Sequence, residues 1–529
     1  MRAIRTLVLG LLTAGLVAAG PTTGPAQEKL GQVHFPTSCA PAVQARFDRA
    51  VALLHSFWWD QAIKAFQEVA QADPTCGMAH WGVAMSLPGN PFTWPPPPRI
   101  LADGWAAVER ARAAGAGTPR EQAYIDAIDR LYRDHATVEH RPRAVAYEKA
   151  MEALAARFPD DREATIFYAL ALNATAAPGD KTYAQPLKAA ALLEQAFTQQ
   201  PDHPGIAHYL IHSYDYPAIA ERGLPAARRY STIAPSAPHA QHMPSHIFTR
   251  RGYWEDSIRS NLASAGAAHG HFDTYHAWDY LAYAYLQQAQ DRQARGVLET
   301  MLAVLKPNEQ VLPVAFAAAA IPARYALERG QWGDAAKLQL PSAEIPWARF
   351  PQAEALLVFA RGVGAARSGD GAAARRDVAR LEALRDALTQ AKSPYWADQV
   401  DIQAIAVAGW AAKAEGKPDE ALRLLRTAAQ REDATDKHPV TPGPLAPARE
   451  LLGELLLEMG QPAAALVEFE ASHRVEPNRF RGLYGAARAA ELAGDQARAR
   501  DYSRKLVELG KAADTERPEL RQARAGAGS

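Results

Sequence analysis

Cysteine is nearly absent: the 529 residues hold only Cys39 and Cys76. Neither has the CxxC spacing of a redox or zinc motif. Net charge is absent too, with 58 basic and 58 acidic residues, so no overall field gathers nucleic acid or an anionic membrane. Basic pairs such as Arg228-Arg229 and Arg250-Arg251 are short and read as solvated faces. Recognisable catalytic signatures are also missing. There is no HExxH, no GxSxG elbow and no GxxxxGK[ST] loop, which removes the ordinary zinc peptidases, serine hydrolases and P-loop enzymes. β-Branched residues are sparse and alanine abundant, which favours helix over strand.

Long apolar runs are confined to the start. Arg2 and Arg5 precede an apolar stretch from Leu7 to Ala19, too short to span a bilayer and typical of a secretory signal. Small residues place cleavage before Gly20 or after Ala26, and no cysteine stands there to carry a lipid. The expectation is a signal peptide over 1–26 and a periplasmic protein with no membrane span after cleavage. In an oxidising compartment two cysteines can pair. A Cys39–Cys76 bond would tie the start of the mature chain to the first helical hairpin.

With 48% hydrophobic and 22% charged residues the composition is globular, and the length exceeds one ordinary core. A repeat resolves this. Leu452, Gly453, Leu456, Gly460, Ala465, Phe469 and Pro477 resemble the signature positions of the 34-residue tetratricopeptide repeat. Gly453 lets two helices approach, Gly460 ends the first helix, and Pro477 stops the second. One period on, Ala487, Gly494 and Ala499 repeat the pattern. Looser copies occur around Ala62-Phe66-Pro74, Ala226-Tyr230-Pro238, Ala282-Tyr285-Ala294 and Gly416-Ala421-Leu425. The fold class is therefore all-α: a tetratricopeptide-like α-solenoid of roughly nine to eleven hairpins in a right-handed superhelix.

Three segments interrupt it: Phe92 to Pro98, Thr175 to Thr182, and the proline-rich Asp433 to Pro447, which lengthens one repeat. A boundary is expected near Leu340 to Arg349. It divides a histidine-rich domain (27–345) from a plainer array (346–512), with a disordered tail over 513–529.

Histidine is what the sequence concentrates: nine of 16 lie between His203 and His276. His208, His212 and Asp215 fall within about 60° on one helix face. His242 and His246 form a second HxxxH pair, displaced from the first by 34 residues. Residues one period apart occupy equivalent, neighbouring helices, so the two pairs would face across roughly 10 Å and close on one ion. Pro244 implies a helix beginning near Met243, with His239 and His242 on the incoming loop. His276 and Asp279 form a third pair on the next equivalent helix, and His269 and His271 read as loop. The candidate metal ligands are His208, His212, Asp215, His242 and His246. Neutral imidazole and carboxylate suit a divalent transition metal: zinc, copper, iron or nickel. A structural reading competes: buried histidines can hydrogen-bond carbonyls or tyrosines such as Tyr209, Tyr214 and Tyr280. His55, Trp58, Trp59, His80 and Trp81 read as an aromatic core patch.

The stretches HPGIAHYLIHSYDYP (203–217) and HAQHMPSHIFTRRGYW (239–254), with LLHSFWWDQAIKAF and DPTCGMAHWGVAMS upstream, resemble a group of exported bacterial tetratricopeptide proteins. The resemblance covers about residues 40 to 300. It implies the fold and export, and it marks His208, His212, Asp215, His242, Ser245 and His246. Three functional readings follow. The favoured one is a scaffold holding a protein or peptide in its groove, with a metal added and no nucleic acid. The others are a metal-dependent hydrolase or oxidase, and periplasmic metal handling, for which Met243 beside His242 would suit copper.

Overall fold

The structure, a computed structural model, describes residues 28–268, 272–305 and 311–528. The expected signal peptide and both His269 and His271 lie outside them. The described residues form helices and no strand, and among them no helix is long and apolar enough to cross a membrane.

Local sequence sets the helix ends. Proline occupies the first turn of many helices, among them Pro119–Tyr132, Pro204–Tyr214, Pro394–Ala414 and Pro462–Val475, where its missing N–H costs nothing. Thr118, Asp161, Asp370 and Asp495 accept from backbone N–H groups two or three residues into the following helix. Close approach then fixes the pairing. A Cβ added to Gly485 would lie 2.3 Å from the Phe469 ring, so the helix Phe480–Leu492 seats directly on Phe469.

The helices pair antiparallel along the chain, each packing on its sequence neighbour. The first helix of one pair also packs on the first helix of the next. An inner row thus runs through Pro204–Tyr214, the joined pair Pro238–His242 and Pro244–Arg250, Phe272–Gln287, Leu312–Glu328, Pro351–Arg367 and Pro394–Ala414. This is an α-solenoid.

Three features go beyond the sequence reading. Buried apolar residues from Leu30 to Phe248 form one core and those from Tyr275 to Ala499 another. The two clusters meet near residues 250–275, where Trp254–Ala267 packs on Phe272–Gln287. The segment expected to be a disordered tail carries a helix, Pro518–Gly528. It packs through Leu520 and Ala523, and Arg517 before it is buried against Asp291. Alanine-rich composition hid those anchors. Finally, the last repeats fold back on the middle of the chain. Trp254 Nε1 donates to Asn478 O at 2.8 Å, and Phe480 N donates to Gln287 Oε1 at 2.8 Å. Cys39 and Cys76 are disulfide-bonded, joining the residues before the first helix to the start of the helix Gly77–Ser86.

Candidate metal centre

Four helices of the inner row carry the histidines. His208 and His212 lie on Pro204–Tyr214. His239 and His242 lie on Pro238–His242 and His246 on Pro244–Arg250. His276 lies on Phe272–Gln287. The loop expected to carry His239 and His242 is a short helix opened by Pro238, and Met243 joins it to the next with helical backbone. The rings form two sets of three, His208–His212–His239 and His242–His246–His276, and within each set one nitrogen per ring lies within 4.8 Å of the others. The sets touch: His212 and His246 have ring centroids 6.0 Å apart, as do His239 and His242. The four imidazoles expected around one ion are thus distributed over two sets, each completed by a histidine that the HxxxH pattern left out.

The nitrogens facing each other can be assigned from their partners. His246 Nδ1 is 2.9 Å from Asp215 Oδ2, and His242 Nδ1 is 2.7 Å from Asn261 Oδ1. Asn261 presents its oxygen because Nδ2 donates to Ser257 O at 2.7 Å. Both partners are acceptors, so each imidazole carries its proton on Nδ1 and leaves a lone pair on Nε2, with Tyr280 OH 3.4 Å from that of His246. Those two Nε2 atoms face each other at 3.0 Å. His208 follows the same rule: Nδ1 donates to His55 O at 2.7 Å, and Nε2 lies 3.1 Å from His212 Nε2. His239 Nε2 is buried with no hydrogen-bond partner. An ion about 2.0–2.1 Å from both nitrogens of either close pair would subtend about 95–100°.

Burial keeps these rings neutral. It lowers His208, His212, His242 and His276 well below the ordinary 6.5, with neighbouring imidazoles adding to the effect. His246 is lowered to about 4 by burial, with Asp215 opposing. Neutral imidazole is the form that binds metal.

Asp215 does not continue the helical stripe. The helix ends at Tyr214, and Asp215 caps it. Its carboxylate stands behind the ligands: Oδ2 meets His246 Nδ1 and Lys437 Nζ (3.2 Å), and Oδ1 accepts from Arg250 Nε at 2.9 Å. Burial alone would raise its pKa, but Lys437, Arg250 and His246 hold it well below the usual carboxylate range. A carboxylate on the far nitrogen of a ligand histidine fixes the ring and raises its basicity. Asp279 instead faces Arg324 Nε at 2.9 Å.

Two other clusters are already satisfied. Glu163 bridges His55 Nε2 at 2.9 Å and His203 Nε2 at 2.8 Å, while His55 Nδ1 meets Tyr209 OH. This network supports the centre from behind, since His55 supplies the carbonyl that orients His208. Gly205 permits it: a Cβ there would lie 2.4 Å from His55 Nδ1. The sulfurs of Cys39 and Cys76 are joined to each other.

A strap crosses the histidine wall. Residues 434–447, between the helices Pro418–Asp433 and Ala448–Glu458, lie against inner-row side chains. Lys437 reaches Asp215, and His438 Nε2 donates to Phe92 O at 2.9 Å, with Phe92 stacked 4.0 Å from His212. Tyr280 OH is 3.1 Å from Pro439 O and from Thr441 O, and Arg324 Nη2 donates to Gly443 O at 2.8 Å. Beside the strap is a cavity of about 340 Å³, lined by Phe316, Phe359, Trp396, Gln403, Glu432 and Lys437 among others. Burial raises Glu432 to about 8. The groove expected to take a peptide is, over the histidines, occupied by the chain itself.

Two ligand candidates had a readable signal. His276 stands 34 residues after His242, as His242 stands after His208, and His239 is one turn before His242. Lys437 and His438 had none, because a loop returning from another repeat leaves no periodicity.

No protein-family model matches the chain, and no curated protein is similar to it in sequence. Solved structures similar to it include a chain of the APC/C hetero-tetramer Cut9–Hcn1, at 13% identity and TM-score 0.38, over 86% of this chain and 78% of that one. Human IFIT1, solved as a dimer with m7Gppp-AAAA, is 11% identical at TM-score 0.38, over 83% and 90%. A chain of Naa15/Naa10 bound to HypK-THB is 11% identical at TM-score 0.24, over 91% and 90%. At these scores the likeness carries no argument about function.

Proposed function

We propose that this helical-repeat protein is an exported transition-metal protein, with its chemistry at the histidine wall under the strap. The observation that carries the reading is the pair of unprotonated nitrogens, His242 Nε2 and His246 Nε2, facing at 3.0 Å with both protons held on Nδ1. Two lone pairs so placed repel, and a cation between them turns that repulsion into two bonds. Three nitrogens per set leave a coordination position open, as catalytic sites do and closed structural sites do not. The absence of carboxylates from both sets favours metals that accept imidazole alone, zinc, copper, iron or nickel, over the oxygen-seeking calcium and magnesium. Export is supported by the apolar N-terminal stretch and by a disulfide, which persists in oxidising compartments.

Elemental analysis of tag-free protein tests this. The expected result is bound transition metal that falls by at least half in the double variant His242→Ala/His246→Ala while far-UV circular dichroism stays helical. A variant that keeps its full metal content would sink the assignment.

A further inference from the structure

We propose that the two sets hold one copper ion each and that the pair binds dioxygen. The inference rests on the reading above and deepens it.

Number is the first argument. A single ion could draw on only one set, since the nitrogens that converge do so in two separate threes. The second set would then be left as buried imidazoles with no role, including His239 Nε2, which is 7% exposed by residue and has no protein partner. Two ions use all six rings.

Charge is the second. Neither set contains a carboxylate. Asp215 is already matched by Arg250 and Lys437, so it supplies no spare negative charge. The rings are buried except His276, which is partly exposed. Two divalent ions with six neutral ligands would place four positive charges in this interior, where Asp273, 3.8 Å from His239 Nδ1, is the nearest carboxylate besides Asp215, and that excess is costly. Two Cu(I) ions place two, and three imidazoles satisfy Cu(I) without an added anion. Imidazole is a good copper ligand.

Reactivity follows from the same count. Each Cu(I) gives one electron to dioxygen, forming two Cu(II) ions and one bound peroxide dianion. No proton enters and no bond other than the O–O π bond is broken. The net charge of the centre is the same before and after, so a buried site can do this without importing a counter-ion. The sets abut through His212–His246 and His239–His242, so an ion in each would have the other as its neighbour.

The test uses the full chain, stripped of metal and loaded under argon with a Cu(I)–acetonitrile complex, then exposed to air-saturated buffer. The expected result is two equivalents of copper, a new peroxide-to-copper charge-transfer band in the near ultraviolet, and no EPR signal because the two Cu(II) spins couple. His276→Ala, at the more exposed ring, should hold about one equivalent and give no band. Two equivalents that become EPR-visible in air without the band overturn the proposal. So does a wild-type stoichiometry of one, or a His276→Ala protein that keeps both ions and the band. Zinc binding without Cu(I) binding overturns the copper pair and leaves the metal reading standing. Failure to bind any transition metal overturns both.

Discussion

Asp215 is a single carboxylate placed between a metal-facing imidazole and two buried cations, Arg250 and Lys437. Asp215→Asn keeps its shape and removes its charge. The loss should cost about 3–5 kcal/mol of stability, because it strands buried positive charge. It should also weaken metal binding about 10–100-fold through His246. Urea midpoints and a chelator competition measure the two separately; lost stability with unchanged affinity would mean that Asp215 only pairs charges. The rings themselves set a pH dependence in the metal-free protein. Burial lowers His208, His212, His242 and His276 well below 6.5 and His246 to about 4. The unfolded chain therefore binds more protons than the folded one below pH 6.5. Stability fully present above 6.5 is lost as pH falls, at about 1.4 kcal/mol per pH unit for each affected ring. Equilibrium unfolding at pH 7.5, 6.5 and 5.5 in EDTA should show a flat upper half and a steep lower half. At this scale His208, His212, His242 and His246 were legible, because the repeat period brings them into register. The position of Asp215 behind the ligands was not, since a helix that stops at Tyr214 cannot be told from one that continues past it.

Helices and loops were unequally legible. Prolines at first turns and glycines at crossings announce the hairpins, so the solenoid could be read from Gly453, Phe469 and Pro477 outward. Gly485→Ala tests that logic: the added methyl meets the Phe469 ring at 2.3 Å, and overpacking should cost about 1–3 kcal/mol, read as a lower urea midpoint. The strap is different. Proline content marked 434–447 as irregular, but what it covers depends on contacts with Phe92, Asp215, Tyr280 and Arg324, hundreds of residues away in part. Arg324 anchors it through Thr441, Gly443 and Pro444. Arg324→Met should speed amide exchange across 440–447 while leaving the helix Pro244–Arg250 protected. Unchanged exchange in the strap would show that it is held elsewhere.

The whole molecule is bound to itself end to middle. Arg517 is buried against Asp291, with Nη2 also donating to Leu286 O at 3.0 Å. Truncation after Ala513 should therefore destabilise the chain by several kcal/mol, since it removes the Arg517 partner of Asp291 and uncovers the apolar cluster that Leu520 and Ala523 complete; a truncated protein with an unchanged thermal midpoint would contradict this. Such closure is invisible in a repeat sequence, where each unit predicts only its neighbours. It also gives the strap a place in time. The histidines are complete at His276, and the residues that cover them begin about 160 positions later. A chain exported N-terminus first delivers the wall across the membrane before the residues that cover it. A newborn chain is thus an open vessel that its own later half seals, and loading can precede the lid.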